Sequence, residues 1–248
     1  NRGRRYGRAA EPGRMTRFMT AGLTCHGLDF YRRGAQRPVL ESVEADFPCG
    51  QIAWISGPTG AGKSTCLHLL AGLLHPSRGE IRADGQPVSR WLSAHRDRWR
   101  RQVGIVFQHH RLVPDLTVLE NVMLPLIPRA QPLHNLRHRA RDILERVDLT
   151  GVAGRRAMSI SGGERQRATV ARALVAAPRY VLADEPFAHQ DDAHARMLLA
   201  LLHDAAEDGS AVIIAAHGAS IPPAGVIDRR WQLARGRMQE VACPSIPS

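Results

Sequence analysis

Short apolar runs alternate with amphipathic segments along the chain. Three of the runs, "QIAWIS" (51–56), "RYVLADEP" (179–186) and "AVIIAAH" (211–217), are short and β-prone, which is typical of strands buried in a parallel sheet. The segments 64–74 and 159–178 have their apolar residues at helical spacing. The pattern therefore predicts an α/β fold, built on a parallel sheet that helices cover.

No apolar run is long enough to span a membrane. Runs such as "MLLALL" (197–202) have the size of core segments, whereas a membrane helix needs about 20 apolar residues. With 248 residues, the chain can form one large α/β domain or two small ones. If the protein serves a membrane process, other subunits must supply the membrane part.

The sequence "GPTGAGKST" lies between the first of these strands and the helix that follows it. Glycines let consecutive backbone N–H groups turn inward toward phosphate oxygens, and the helix N-terminus adds positive potential. A chance match in a glycine-rich turn is the alternative, but a phosphate-binding loop requires this strand–loop–helix context. We therefore predict that a nucleotide contacts the phosphate loop, which consists of Gly57, Pro58, Thr59, Gly60, Ala61, Gly62, Lys63, Ser64 and Thr65.

Lys63 is the only lysine among the 34 Lys and Arg residues of the chain. A slim, rotatable ammonium can reach the β- and γ-phosphates of the nucleotide, where a planar guanidinium is too wide and rigid. We therefore expect Lys63 to act in catalysis as well as in binding. The hydroxyl of Ser64, the next residue, is expected to lie on Mg²⁺.

Two acids end the second apolar run, and Pro186 after them prevents helical continuation. Ligands gather at the carboxyl ends of strands in a parallel α/β sheet. We therefore predict that Asp184 binds Mg²⁺ and that Glu185 is a general base, a solvated loop being the alternative. His217 ends the third run and is expected to hydrogen-bond the γ-phosphate or the attacking water, although a lone histidine is usually structural.

A second glycine-containing segment begins at Ser161. Ser161 and Glu164 have the spacing of a capping box, in which each side chain bonds to the backbone N–H of the other residue. Capping explains neither Gly162 nor Gly163, which are poor helix formers but permit close backbone approach to an anion. A second phosphate contact without a second phosphate loop suggests a surface that serves the ATP of a partner.

Charge and cysteine content limit the function classes. The formal net charge is +11, and six of the first 17 residues are arginine, so we expect residues 1–18 to be a disordered basic tail. The other arginines are scattered and lack the clustered face of a nucleic-acid binder, so no nucleic-acid partner is expected. The four cysteines lie far apart without zinc-ligand spacing, which favours reduced thiols of a cytosolic protein.

The sequence resembles the ATP-binding cassette (ABC) ATPases over roughly residues 20–240. Their motifs occur here in the family's order: "GPTGAGKST", the glutamine loop at Gln108, the signature "ISGGE", "YVLADE", the loop reaching Asp191, and His217. The resemblance implies an α/β P-loop NTPase fold, with a RecA-like catalytic lobe, an antiparallel β subdomain and a helical subdomain. The implied boundaries are 19–240 for the ATPase domain, roughly 109–165 for its helical subdomain and 241–248 for a C-terminal tail.

The resemblance also implies roles for residues outside the phosphate loop. Tyr31 falls where the family has an aromatic that stacks on adenine, the alternative being an ordinary core or edge tyrosine. Gln108 would join the lobes, contact Mg²⁺ and sense the γ-phosphate. Two copies would pair head to tail, each ATP lying between Lys63 of one copy and the signature of the other. The nucleotide-binding residues implied on this second surface are Ser161, Gly162, Gly163, Glu164 and Asp191.

Several stretches look like the lipoprotein-releasing and macrolide-export type of ABC ATPase, among them "DGQPVS" (84–89) and "VFQHHRLVPDLTVLENVMLPL" (106–126). By this resemblance the chain is an ATP-hydrolysing subunit beneath an integral membrane permease that moves lipophilic cargo. It would be peripheral, on the cytoplasmic face of a bacterial inner or plasma membrane. A capped helix at Thr117-x-x-Glu120 would help to receive the permease's coupling helix, unless it is a plain core helix.

Two features depart from this subtype. The segment 187–191 reads "FAHQD" where the subtype usually reads close to "TGNLD", and Gly218 replaces the usual aspartate after His217. Because Lys63, Asp184 and Glu185 persist, ATP hydrolysis is still expected. The alternative function is that of the related cell-division ATPases, which regulate a periplasmic enzyme through a membrane partner without transport.

Overall fold

The computed structural model of the chain describes residues 21–90, 97, 99–109, 111–129, 131–217 and 225–243. The predicted basic tail (1–18), Gly218 and residues 244–248 lie outside these ranges. Within them the strands are β1 (Gly22–Phe30), β2 (Leu40–Pro48), β3 (Ile52–Ser56), β4 (Arg78–Ala83), β5 (Val103–Val106), β6 (Tyr180–Asp184), β7 (Ala211–Ala215), β8 (Arg229–Ala234) and β9 (Arg237–Val241).

The α-helices of the described ranges are α1 (Lys63–Leu70), α2 (Val118–Met123), α3 (Leu133–Arg146), α4 (Gly162–Leu174) and α5 (Asp192–Glu207). Short 3-10 helices lie at Val88–Arg90, Leu124–Arg129, Thr150–Val152 and Ala157–Ser159. Among the described residues, no helix combines the length and the apolar character that crossing a membrane requires.

The central sheet has the strand order β5-β6-β7-β3-β8-β9. Strands β5, β6, β7, β3 and β8 pair in parallel, and β8 pairs with β9 in antiparallel orientation. Every residue of β3, β6 and β7 is buried. Continuous apolar strands of this kind are typical of a parallel sheet covered on both faces. The predicted α/β fold with a parallel sheet is confirmed.

Alternate residues of the central strands belong to two different hydrophobic cores. In β3, Ile52 and Trp54 pack with apolar residues of α2, α3, α4 and α5. Ala53 and Ile55 pack on the other face with α1 and with a three-stranded antiparallel sheet of order β2-β1-β4. Because successive side chains of a strand point to opposite faces, one short apolar run supplies both cores. The smaller sheet forms the implied antiparallel β part.

Helices α2 and α3 lie between β5 and β6 in the sequence. The predicted capping box is present at α2, where Thr117 and Glu120 bond to the backbone N–H groups of each other. Helix α3 buries one face, and its buried residues recur at helical spacing: Leu136, Ala140, Ile143 and Leu144. The limits of the helical subdomain stay a prediction, since α4 begins at Gly162 and continues to Leu174.

The register of the central sheet brings three connecting segments together. Ala215 of β7 is aligned with Asp184 of β6 on one side and with Ile55 of β3 on the other. The carboxyl ends of these three parallel strands therefore lie side by side. The phosphate loop follows β3, Glu185 follows β6, and His217 follows β7, so all three start from the same edge of the sheet.

The packing of β5 against α4 depends on Gly104 and gives a testable prediction. A Cβ atom at Gly104 would lie 2.3 Å from the carbonyl oxygen of Ala173 in α4 and 2.9 Å from Pro178. We expect Gly104→Ala to lower the free energy of unfolding by about 1–3 kcal/mol, because strand and helix must separate. Urea unfolding measures this change. Gly151→Ala is the control, since a Cβ there meets no atom within 4 Å; equal midpoints for both variants would contradict this packing.

Candidate nucleotide-binding site

The backbone of the phosphate loop requires glycine at two positions. Gly57 has φ of 158°, and a Cβ atom there would lie 2.1 Å from the carbonyl oxygen of Leu233 in β8. Gly62 has φ of 105° and is the N-cap residue of α1. Side chains at either position would be strained or would clash. The loop therefore curls tightly, with the N-terminus of α1 facing its interior.

Lys63 is the first residue of α1, and its side chain folds back over the phosphate loop. Its Nζ donates hydrogen bonds to the carbonyl oxygens of Gly57 at 2.8 Å and Pro58 at 3.2 Å. The residue is only 7% exposed. Carbonyl oxygens are neutral acceptors, so they orient the ammonium without cancelling its charge. The ammonium is thus already in place for an anion.

Glu185 and His217 meet at the carboxyl edge of the sheet. Glu185 has φ of 50°, and its backbone N–H donates to the carbonyl oxygen of Ala215 at 2.8 Å. This left-handed turn directs its carboxylate to His217, whose Nε2 lies 3.2 Å from Oε1. Burial raises the pKa of the Glu185 carboxyl above its ordinary value, while the positive charges of His217 and Lys63 act in the opposite direction.

One cavity of about 130 Å³ unites most of the predicted residues. Those predicted from the sequence that line it are Thr59, Gly60, Gly62, Lys63, Ser64, Thr65, Gln108, Asp184, Glu185 and His217. Three different strand ends and the glutamine loop after β5 thus contribute to one cavity. This convergence is what a phosphate site needs, because charge must come from several directions.

Arg32 also lines this cavity, and the sequence analysis missed it. It adds a guanidinium beside the phosphate loop. The available signal was its position next to Tyr31 in "FYRRG". Tyr31 itself is 39% exposed, and its backbone N–H donates to the hydroxyl of Ser77 at 3.0 Å. Its side chain does not line the cavity, so stacking on adenine stays a prediction.

Three oxygen-bearing side chains of the cavity could hold a magnesium ion. They are the Ser64 hydroxyl, the Gln108 amide and the Asp184 carboxylate, and Asp184 is 5% exposed. Among the described residues, no group of three or more His, Cys, Asp or Glu side chains could hold a metal ion. Mg²⁺ is usually bound by one or two carboxylates together with water and phosphate oxygens, and the Asp184 carboxylate with two neutral side-chain oxygens fits that pattern.

The signature segment lies outside this cavity. The Ser161 hydroxyl accepts from the N–H of Glu164 at 3.2 Å, and the Glu164 carboxylate accepts from the N–H of Ser161 at 2.7 Å. These bonds lower the pKa of Glu164 and confirm the capping box. Around Gly162, a Cβ would meet no atom within 4 Å, so the backbone is open to an incoming group. Binding of a partner's phosphate there stays a prediction.

Asp191 is likewise separate from the cavity. It is the N-cap residue of α5, where its carboxylate accepts from the N–H of His194 at 2.9 Å. The same carboxylate lies 2.8 Å from Nδ1 of His194. Hydrogen bonds from the backbone and the side chain of His194 lower the pKa of Asp191. In this chain by itself, Asp191 therefore orients the start of α5, and its contact with nucleotide stays a prediction.

The pairing of Glu185 with His217 predicts a measurable pKa change. In His217→Ala the pKa of Glu185 should rise further above its ordinary value, because the histidine charge that lowers it is removed while burial remains. Carbon-13 NMR of the labelled carboxyl group over a pH series measures this shift. The control His203→Ala, in α5, should leave the Glu185 titration unchanged. A fall of the Glu185 pKa in His217→Ala would contradict the contact.

Comparisons with known proteins agree with this geometry. Residues 40–188 match the family model described as ABC transporter. Over 224 residues the chain is 40% identical to the lipoprotein-releasing system ATP-binding protein LolD of Chromohalobacter salexigens, a match that covers 89% of this chain and 94% of LolD.

Solved structures of similar fold include two of the cassette MJ0796. A dimeric post-hydrolysis state bound to ADP and Pi has a TM-score of 0.83 and 30% identity, covering 90% of this chain and 100% of that chain. A dimeric structure of MJ0796 described as a bacterial ABC transporter cassette has a TM-score of 0.82 and 29% identity, and the match covers 88% of this chain and 98% of that chain. The resemblance inferred from the motifs is confirmed. The chain belongs to the ABC transporter family, as one of its ATP-binding cassettes.

Proposed function

We propose that this cassette hydrolyses MgATP, pairs with a second copy of itself and powers a membrane permease that releases lipoproteins or similar lipophilic cargo. The observation that carries the proposal is the single cavity in which Lys63, Asp184, Glu185 and His217 meet beside the phosphate loop. None of these residues by itself identifies a site of phosphoryl transfer. Their convergence on a glycine-rich loop fits phosphoryl transfer, where positioning and charge neutralisation do most of the work.

The triphosphate would lie on the phosphate loop. Backbone N–H groups of the loop and of the α1 N-terminus would surround its β-phosphate. Lys63 would exchange its bonds to two neutral carbonyls for stronger bonds to phosphate oxygens. Arg32, which also lines the cavity, would add a further contact. A bound Mg²⁺, held by Ser64, Asp184 and Gln108, would supply charge neutralisation across the β- and γ-phosphates.

Glu185 would accept the proton of the attacking water. Its raised pKa makes the carboxylate a stronger base than an exposed glutamate, while the opposing charges of His217 and Lys63 favour the ionised form that a base requires. His217, 3.2 Å from the carboxylate, would orient it and donate to the γ-phosphate or the water. Glu185 and His217 come from adjacent strands, so the sheet register sets their spacing.

The head-to-tail dimer follows from where the signature segment lies. Ser161, Gly162 and Gly163 stand outside the cavity of their own chain, with open space at Gly162. A second copy would bring these groups to the exposed side of the bound ATP, and Asp191 would lie near the same contact. The solved MJ0796 cassette with ADP and Pi is dimeric, which supports this arrangement.

A groove beside the helical subdomain is a suitable docking place for the permease. Its volume is about 400 Å³. Among the described residues, its lining combines apolar residues of β5 with several prolines and four arginines and includes no acidic side chain: Arg100, Arg101, Val103, Gly104, Ile105, Phe107, Arg111, Pro125, Pro128, Arg172, Ala173, Ala176 and Pro178. It adjoins the segment that we expect to receive a coupling helix. Such a peripheral subunit would lie on the cytoplasmic face of the membrane.

LolD, the relative at 40% identity, is named as part of a lipoprotein-releasing system. That name supports transport rather than the cell-division alternative. The wide coverage of both chains, 89% and 94%, extends the likeness well beyond the shared nucleotide motifs. We therefore favour release of lipoprotein-like cargo.

Removing the proposed base gives the first test of this function. Glu185→Gln keeps the size of the side chain but cannot accept the proton, so turnover should fall by about 10²- to 10⁴-fold. ATP binding should persist, because the phosphate loop is unchanged. Phosphate release and calorimetric titration with ATP measure the two quantities. Glu207→Gln, at the exposed end of α5, is the matched control. Full activity in Glu185→Gln would contradict the assignment.

Charge reversal in the groove tests the permease contact. Arg101 lies on the groove and is exposed, so Arg101→Glu should disturb docking without disturbing the fold. We expect less permease to co-purify from membranes, with ATP turnover of the isolated cassette unchanged. Arg78→Glu, at an exposed residue at the start of β4 in the smaller sheet, should co-purify with the permease normally. Equal recovery of permease with both variants would exclude the groove as the docking site of the permease.

A further inference from the structure

Helix α3 presents a positively charged face to solvent. Its apolar face packs into the core of the helical subdomain. The opposite face carries exposed residues at helical spacing, which we call the basic face: His134, Arg137, His138 and Arg141. No acidic residue occurs between Leu133 and Arg141, so the formal charges of this part of α3 are all positive.

The two arginines of the basic face are not neutralised by close ion pairs. Among the described residues, no carboxylate lies within ion-pair distance of Arg137 or Arg141. The acid that follows them in α3, Asp142, lies 2.7 Å from Nδ1 of His138 through its Oδ2. Glu120 of α2 interacts with Arg137 only at longer range, because its carboxylate is taken up by the capping box. Positive charge is therefore available on this face for an external anion.

Apolar side chains accompany the basic face where α3 begins. Leu133, the first residue of α3, is 55% exposed, and Ile127, in the preceding 3-10 helix, is 58% exposed. Pro125 and Pro128 of the same 3-10 helix line the groove in which we propose that the permease docks. The basic face and these apolar side chains thus continue the side of the cassette that would meet a membrane protein.

A surface of anionic phospholipids matches both features. Its negative headgroups attract clustered arginines, and exposed apolar side chains can enter the boundary between headgroups and acyl chains. Helix α3 cannot itself insert into a bilayer, because its apolar face is already buried in the cassette. The contact is therefore made at the membrane surface. A nucleic acid would match the charge but would leave Leu133 and Ile127 in water.

We propose that the basic face, together with Leu133 and Ile127, contacts anionic phospholipid headgroups beside the permease. This inference goes beyond the proposed function, from which it takes only the position of the cassette next to a membrane protein. The contact holds the helical subdomain against the membrane surface while the permease occupies the neighbouring groove. It requires negative headgroups, and it weakens as ionic strength rises.

The experiment measures co-sedimentation of the full-length chain, without nucleotide, with two kinds of vesicle. One contains phosphatidylglycerol and phosphatidylcholine, and the other contains phosphatidylcholine alone. The double variant Arg137→Gln/Arg141→Gln removes two charges and keeps good helix formers. We expect its partition onto the anionic vesicles to fall about ten- to thirtyfold, because each arginine near such a surface contributes about fivefold. Leu133→Ser, which keeps every charge, should weaken binding about threefold and replaces the double variant if that variant does not fold.

Arg78→Gln/Arg196→Gln is the matched control, because it makes the same change of net charge at exposed residues of β4 and α5. It should bind the anionic vesicles as the natural chain does. Equal losses in the two double variants would show attraction by net charge alone and would overturn the proposal. Undiminished vesicle binding by Arg137→Gln/Arg141→Gln would overturn it as well.

Duplex DNA is the competing anion. Tighter binding of the natural chain to duplex DNA than to anionic vesicles, lost in Arg137→Gln/Arg141→Gln, would assign the basic face to nucleic acid and overturn the lipid contact. Neither ATP nor the permease enters these measurements. Failure of the lipid contact therefore leaves the proposed function intact, whereas absence of ATP turnover in the natural chain would overturn the proposed function by itself.

Discussion

The function of this chain depends on the parallel alignment of three strand ends. A triphosphate carries more negative charge than one side chain can neutralise, so positive and metal-binding groups must converge from separate segments. The register of β6, β7 and β3 achieves this, because Asp184, Ala215 and Ile55 lie level with one another. The short segments that follow these strand ends then bring Lys63, Glu185 and His217 together. Helix packing on both faces of the sheet maintains the register.

Much of this arrangement could be predicted from the sequence, because it is encoded locally. Three features depend only on residues that are neighbours in the sequence: the phosphate loop, the two capping boxes and the buried strands. Their residue types and spacing are therefore enough to predict them. The position of Asp184 and Glu185 beside the phosphate loop could be predicted because parallel strands end at a common edge. The family resemblance supplied the antiparallel sheet and the helical subdomain. Features that local patterns determine can therefore be predicted from the sequence.

Contacts between distant segments could not be predicted in the same way. Arg32 follows β1 of the smaller sheet and lines the same cavity as the phosphate loop, a contact that no spacing in the sequence indicates. Gln166 resembles any polar residue on a helix, yet it is buried against Pro186. Asp191 shows the converse, since its motif position indicates nucleotide contact while its carboxylate caps α5. Side chains with several suitable partners are assigned by tertiary packing alone.

In the proposed dimer, two protomers enclose ATP between the phosphate loop of one and the signature of the other. Sedimentation of Glu185→Gln, which should bind ATP without consuming it, tests this arrangement. We expect single protomers without nucleotide and dimers with saturating MgATP. We also expect an added Ser161→Arg change, which blocks the signature surface, to abolish the dimer. Single protomers at saturating MgATP, even with the permease present, would rule out this dimer.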